Sequence, residues 1–241
     1  AGVMNANDPN ITQLEIVAEH LGDTLRQELV FIGGTVAGLL ITDAALPSIR
    51  PTDDVDTLCR AFALSDYYRI EQRLRELGFV QRPEKGAPVC RWWVKESDIA
   101  LDVMPTLESV LGFSNRWYPL ALETAKAMRL PSGREIQLIT APVFVATKLE
   151  AFTNRGNSDY LASHDLEDLL AVVDGRASLV DECRAGPPEL RTYLAERFSA
   201  LLATPGFVDA LTGHLPGDAA SQERLPELLE TLRLLADLVA T

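Results

Sequence analysis

The stretch FIGGTVAGLLITDAALPSIRPTDDVD, from Phe31 to Asp56, decides how the rest of this chain is read. Leu29 to Ile32 is a short apolar run that breaks at Gly33-Gly34, the pattern of a buried strand entering a tight turn. Both glycines tolerate positive φ, which lets backbone N–H groups approach a phosphate closely. Thr35 follows with a hydroxyl suited to a phosphate oxygen at a helix start, and Val36 to Leu40 is expected to begin a short helix. At the far end, Asp54-Val55-Asp56 puts two carboxylates at i and i+2, on one face if the segment is a strand. Like charges about 6–7 Å apart on one strand face repel, so stability alone does not explain them. A bound cation reverses that logic: Mg²⁺ takes carboxylate oxygens together with substrate phosphates, and such sites serve phosphoryl transfer.

A third acid suits the same purpose. In Asp98-Ile99-Ala100-Leu101-Asp102-Val103, alternation sets Asp98, Ala100 and Asp102 on one face and the aliphatic residues on the other. Asp102 lies well inside this apolar strand and needs a reason to be there; metal ligation supplies one. Asp98, at the strand start, is explained by solvation.

Outward from these segments, helix and strand signals alternate through the first half. Thr12-Gln13-Leu14-Glu15 has the form of a capping box, followed by Leu14, Val17, Ala18, Leu21 and Leu25 at helical spacing. Ser65 is placed to cap a helix carrying Ile70, Leu74 and Leu77 to Gly78. Strands are expected at Val55–Cys59, Phe79–Val80, Cys90–Val94, Asp98–Val103 and Arg134–Ile139, with Pro83 to Pro88 as a turn. Trp92 and Trp93 should divide between the core and the rim of the sheet. Ser109 to Met128 reads as mainly helical with breaks near Gly112 and Pro119.

From Thr140 the pattern is helical alone. Helices are expected from Pro142 to about Asn154, from a Ser163 cap to Asp174-Gly175, and near Ser178–Arg184, Glu189–Ala203 and Leu225–Val239. The last carries a core-type stripe of Leu225, Leu228, Leu229, Leu232, Leu235 and Val239. The fold class is therefore α/β (α+β), a mixed sheet with flanking helices over residues 1–140, followed by a helical domain over 141–241.

Composition narrows the function classes. The 241 residues carry 35 acidic and 22 basic side chains, a net charge of −13, which argues against a dedicated nucleic-acid coat protein. Residues 141–241 hold 16 of those acids and 8 of the bases. The longest uncharged apolar run, Leu29 to Thr42, falls short of the roughly 20 residues that a bilayer requires, so no membrane partner is expected. Cys59, Cys90 and Cys183 are widely spaced and odd in number, which excludes a fully paired disulfide framework and offers no zinc cluster. With no basic and apolar leader in the first ten residues, a reducing cytoplasm is the expected compartment.

Gly33-Gly34-Thr35 with Asp54-Val55-Asp56 resembles the signature of the DNA polymerase β-like nucleotidyltransferase superfamily, nearest to the AbiEii/AbiGii-type toxins. Lys148-Leu-Glu-Ala-Phe-Thr-Asn-Arg155 is similar to that group's lysine-bearing helix, and His164-Asp-Leu-Glu-Asp-Leu169 to its Arg-Asp-x-x-Asp helix. The resemblance runs from residue 31 to about 176, and His164 departs from it where an arginine is usual, losing a fixed positive charge. It implies a Mg²⁺-dependent enzyme moving a nucleoside monophosphate from an NTP to an acceptor. Asp54, Asp56 and Asp102 would be the metal ligands, with Asp102 also a candidate base. Gly33, Gly34 and Thr35 would contact the nucleotide phosphates. Lys148 would reach the triphosphate from a helical domain that closes the nucleotide cleft, and Asp165 or Asp168 would orient that lysine or the base and ribose. The acceptor would be tRNA or protein, in a toxin–antitoxin or phage-defence setting with a cognate antitoxin. Two alternatives stand beside it: transfer to a small cationic acceptor such as an aminoglycoside, which an acidic surface attracts, and a non-catalytic nucleotide-binding module.

Overall fold

Asp8 caps the first helix, its side chain accepting from the Asn10 N–H at 2.8 Å, and Pro9 fills the opening turn where no N–H is required. The helix thus begins three residues before the expected Thr12 box, and Glu15 is free to bind the Ser132 N–H at 2.8 Å instead. The computed structural model describes residues 8–43, 49–82, 88–106, 115–156 and 158–239. The expected turn at Pro83 to Pro88 and the helix break at Gly112 lie largely or wholly outside them.

The chain divides into two compact units. Val3–Gly38 with Arg50–Thr140 forms one, and Ala141–Thr241 with Leu39–Ile49 forms the other.

The first unit is mixed α/β. Its strands are β1 (Val30–Ile32), β2 (Asp54–Cys59), β3 (Phe79–Val80), β4 (Arg91–Val94), β5 (Ala100–Pro105), β6 (Lys126–Arg129) and β7 (Glu135–Leu138). They form a single sheet in the order β3-β4-β5-β2-β1-β7-β6. β2 runs parallel to β5 and β1 parallel to β7, while the other neighbours are antiparallel. Helices Pro9–His20, Gly22–Glu28, Leu64–Glu76 and Tyr118–Thr124 accompany the sheet. Leu14, Val17, Ala18, Leu21 and Leu25 are buried as the spacing predicts, although Gly22 at φ 65° splits their helix in two.

Several local expectations are corrected. Lys126–Arg129 is a strand, not the end of a helix. Its residues favour helix by propensity, but the Pro131-Ser132-Gly133 turn folds the segment onto β7 as an exposed edge, and pairing prevails. Pro119 starts a helix instead of breaking one. The helix after β2 is closed by the Asp66 carboxylate, which accepts from the Phe62 and Ala63 N–H groups at 3.0 Å, so Ser65 is not its cap. Leu77 is exposed, Tyr67 taking the buried place beside Ile70 and Leu74. Trp92 and Trp93 are both buried, on opposite faces of β4, covered by the guanidinium groups of Arg75 and Arg82 respectively.

The second unit is helical: Ala141–Arg155, His164–Gly175, Leu179–Arg184, Pro188–Leu202, Pro205–His214, Ala219–Gln222 and Leu225–Ala236. The Pro205–His214 helix adds to those expected, with Pro205 at its first position and Phe207 and Leu211 at i, i+4 as its signals. In the last helix Leu228, Leu232 and Leu235 are buried, Leu238 joins them, and Val239 is exposed. Residues after Leu39 belong to this unit through backbone bonds: the Thr42 and Asp43 N–H groups donate to the Gly175 carbonyl at 2.9 and 3.0 Å. Arg176 donates to the Leu40 carbonyl at 2.8 Å, and Arg224 grips Asp43 and Asp174 together. Among the described residues no helix is long and apolar enough to cross a membrane.

One buried side chain fixes the approach to β2. Asn10 donates to the Arg50 carbonyl at 3.0 Å, while its Oδ1 accepts from the Thr52 N–H at 3.0 Å and the Thr52 hydroxyl at 3.2 Å. Replacing it strands these partners away from water. Asn10→Ala is expected to lower stability by about 1–3 kcal/mol, measured by urea unfolding followed through tryptophan fluorescence.

Candidate functional site

β2 alternates as its sequence predicts. Val55 and Thr57 are fully buried on one face, and Asp54 and Asp56 leave the other, half-buried. The parallel register sets Asp56 directly opposite Asp102 on β5, so the third acid shares their face. A carboxylate oxygen from each of Asp54, Asp56 and Asp102 lies within 4.8 Å of the other two.

The diglycine turn meets this group from β1. Ile32 pairs with Asp56, and the chain then turns at Gly33 with φ 77° and ψ −172°, a conformation open essentially only to glycine. A methyl group on Gly33 would fall on the Asp56 carboxyl, 2.8 Å from its Cβ and Cγ. Gly34 opens a single turn of 3₁₀ helix, Gly34–Val36, without positive φ, so the left-handed freedom expected of both glycines is used by one. The Thr35 hydroxyl is buried and turned inward, donating to the Asp54 carbonyl at 2.5 Å beside the Thr52 hydroxyl at 2.8 Å. It ties the turn to the start of β2.

Arg91 joins the group although the sequence pattern alone does not single it out. The antiparallel register of β4 puts it opposite Asp102. Its Nε donates to Asp102 Oδ1 and its Nη2 to Asp102 Oδ2, both at 2.8 Å, and Nη2 also pairs with Asp54 Oδ2. The signal in the sequence was a charge heading an otherwise apolar strand, Arg91-Trp92-Trp93-Val94, but its partner depends on register. Contact with Asp102, the neighbouring carboxylates and this pairing hold the guanidinium even more firmly protonated than usual, against the cost of its burial. Burial and then the negative charge of Asp102 push the Asp54 carboxyl above its ordinary value, with Arg91 opposing them.

Three carboxylates facing one guanidinium leave the group with excess negative charge and hard oxygen donors. That donor set fits Mg²⁺, which binds through few carboxylates and completes its shell with water and phosphate. The thiols do not compete for a role: Cys59, Cys90 and Cys183 are all buried, and burial pushes each up to about 12, far from a reactive thiolate.

The helical unit holds the remaining sequence-selected residues in a cluster of its own. Ser163 caps the His164–Gly175 helix through the Leu166 N–H, which points Asp165 and Asp168 inward. Ala141 to Leu149 are buried in unbroken succession, so Lys148 is buried on its helix and not on a solvated face. Its Nζ lies 2.7 Å from Asp168 Oδ2 and 3.3 Å from Asp165 Oδ1. Arg155 grips Asp165 from the other side, at 2.9 Å through both Nε and Nη2. Burial alone would raise the Asp165 carboxyl; the Arg155 and Lys148 bonds outweigh it and hold it below its ordinary 3.8. Arg176 pairs with Glu182, and His214 Nε2 lies 2.6 Å from the Tyr160 carbonyl oxygen.

No family model and no curated protein sequence matches the chain. Solved structures of similar course include the JHP933 protein of Helicobacter pylori, 14% identical, covering 95% of this chain and 91% of that one at a TM-score of 0.46. Another Helicobacter pylori crystal structure, of a protein provisionally described as a nucleotidyltransferase, is 13% identical and covers 98% of each chain at 0.47. The solution structure of the antibiotic-resistance factor ANT(2'')-Ia is 15% identical and covers 80% of this chain and 95% of that one at 0.44. The likeness is one of chain course alone.

Two substitutions probe these clusters. Gly33→Ala should cost about 1–3 kcal/mol in backbone strain alone and displace Asp56, seen as a lower melting temperature. For Asp165, a depressed folded value means stabilisation that is present above 3.8 and lost as pH falls through the folded value. Asp165→Asn should therefore flatten the acid limb of a melting-temperature profile taken between about pH 5 and pH 2.

Proposed function

We propose that this protein is a Mg²⁺-dependent nucleotidyltransferase that moves a nucleoside monophosphate from an NTP to an acceptor hydroxyl. One observation carries the reading: three carboxylates from neighbouring parallel strands lie within 4.8 Å of one another beside a glycine that only a bare backbone can fill. In this reading Asp54, Asp56 and Asp102 hold the ion. When bound, Mg²⁺ neutralises charge on the phosphates and favours in-line displacement at the α-phosphorus.

The chain's own residues then divide the work. The acceptor hydroxyl passes its proton to Asp102, the candidate base, as its oxygen forms a bond to the α-phosphorus; the bond from that phosphorus to the β-phosphate bridging oxygen breaks, and pyrophosphate leaves with the electron pair. The backbone at Gly33 and Gly34 offers N–H groups to the β and γ phosphates, and Thr35 anchors that turn to β2. Asp102 is assigned as a ligand and as the candidate base; each of its oxygens accepts one bond from Arg91, which leaves lone pairs for these roles. Lys148 is assigned to the triphosphate, and such contact requires that it share or exchange its bonds to Asp165 and Asp168.

Resemblance favours tRNA or protein as acceptor, with a toxin role and a cognate antitoxin. A second reading, transfer to a small cationic acceptor of the aminoglycoside kind, is favoured by the net charge of −13, which attracts cations and discourages RNA. The test is incubation of the pure protein with Mg²⁺ and each α-labelled NTP, alone and with tRNA, protein extract or an aminoglycoside panel. Label should move to one acceptor class, and Asp56→Asn should lower the rate on the order of 10²–10³-fold. Nucleotide binding without any transfer would replace this reading with a non-catalytic binding module.

A further inference from the structure

Arg91 contributes no metal-ligating atom, yet it touches two of the three candidate ligands. Its fork occupies both oxygens of Asp102 at 2.8 Å while the same Nη2 reaches Asp54. A planar guanidinium that binds a carboxylate side-on fixes the plane of that carboxylate, which a point charge cannot do. Only a register that pairs Arg91 with Asp102, and Asp102 with Asp56, brings the fork to this place. The side chain of Arg91 is itself only 23% exposed, so it is held by the surrounding strands and not by solvent.

We infer that Arg91 is a positioning residue for the divalent ion: it aims the Asp102 and Asp54 carboxylates so that their remaining lone pairs converge with those of Asp56. The inference rests on the carboxylate reading above and adds to it a specific demand for arginine at this position. Partners that orient a metal ligand typically change metal affinity about 10–100-fold when removed. A merely structural Arg91, tying β4 to β5, would alter melting behaviour and leave the affinity of the folded protein untouched. An Arg91 that competed with the ion for the carboxylates would have the opposite sign, and its removal would tighten binding.

The experiment is a Mn²⁺ titration of the full chain read by electron paramagnetic resonance, with wild type, Asp56→Asn, Arg91→Gln and Arg91→Lys, each checked for folding by circular dichroism. Arg91→Gln should bind Mn²⁺ about 10–100-fold more weakly than wild type. Arg91→Lys, which keeps the charge but loses the fork, should fall between them. Equal or tighter binding by Arg91→Gln overturns the assignment. Should Arg91→Gln fail to fold, Arg91→Lys decides in the same way: weaker binding supports the role and wild-type binding overturns it. Failure of the parent reading looks different, because wild type would then take up no Mn²⁺ or Asp56→Asn would take it up equally, and the role of Arg91 would fall with it.

Discussion

Mutual repulsion among Asp54, Asp56 and Asp102 is the constraint around which the α/β unit is arranged. At about 5 Å and an effective dielectric of about 20, each like-charged pair costs about 3 kcal/mol, a sizeable fraction of a domain's stability. The backbone has to hold the three in place against that cost. Parallel pairing of β2 with β5 does so by register, since a shift of one residue on either strand would send a carboxylate to the opposite face. Arg91 offsets part of the repulsion, and the Asn10–Thr52–Thr35 bonds secure the chain where it enters β2.

Such an arrangement is partly written in local sequence. Asp-x-Asp on a strand and an acid inside an aliphatic run are period-2 patterns, and the strands at Val55–Cys59 and Asp98–Val103 announce themselves by composition. Gly33 was legible as a turn, but the reason it tolerates no side chain is the Asp56 carboxyl, 23 residues away in sequence. Arg91 was illegible for a related reason: its role depends on an antiparallel register that no window of sequence contains. The strand at Lys126–Arg129 was hidden because its residues favour helix and only its hairpin partner makes it a strand. Burial of both Trp92 and Trp93 likewise follows from a strand covered on both faces, with a long arginine side chain over each ring.

The cluster of Lys148, Arg155, Asp165 and Asp168 shows a different economy. Lys148, Asp165 and Asp168 sit together largely out of water, and loss of one member of a buried pair typically costs about 3–5 kcal/mol because a charge is left unanswered. Arg155 is mostly exposed, so its share is weakened by solvent, and the deeper bond is the one between Lys148 and Asp168. A link between Lys148 and Asp165 or Asp168 is expected from the sequence by resemblance, while the geometry of the pairing comes from the packing of two helices.

The excursion of Leu39–Ile49 into the helical unit gives the chain a discontinuous assembly order. Asp43 emerges from the ribosome early, yet Arg224, which holds it at 3.0 Å, follows 181 residues later. Closing so long a loop is entropically slow compared with forming a local turn. The segment that carries Thr42 and Asp43 is therefore held in full only after Gly175 and Arg224, far downstream in the chain, have been made.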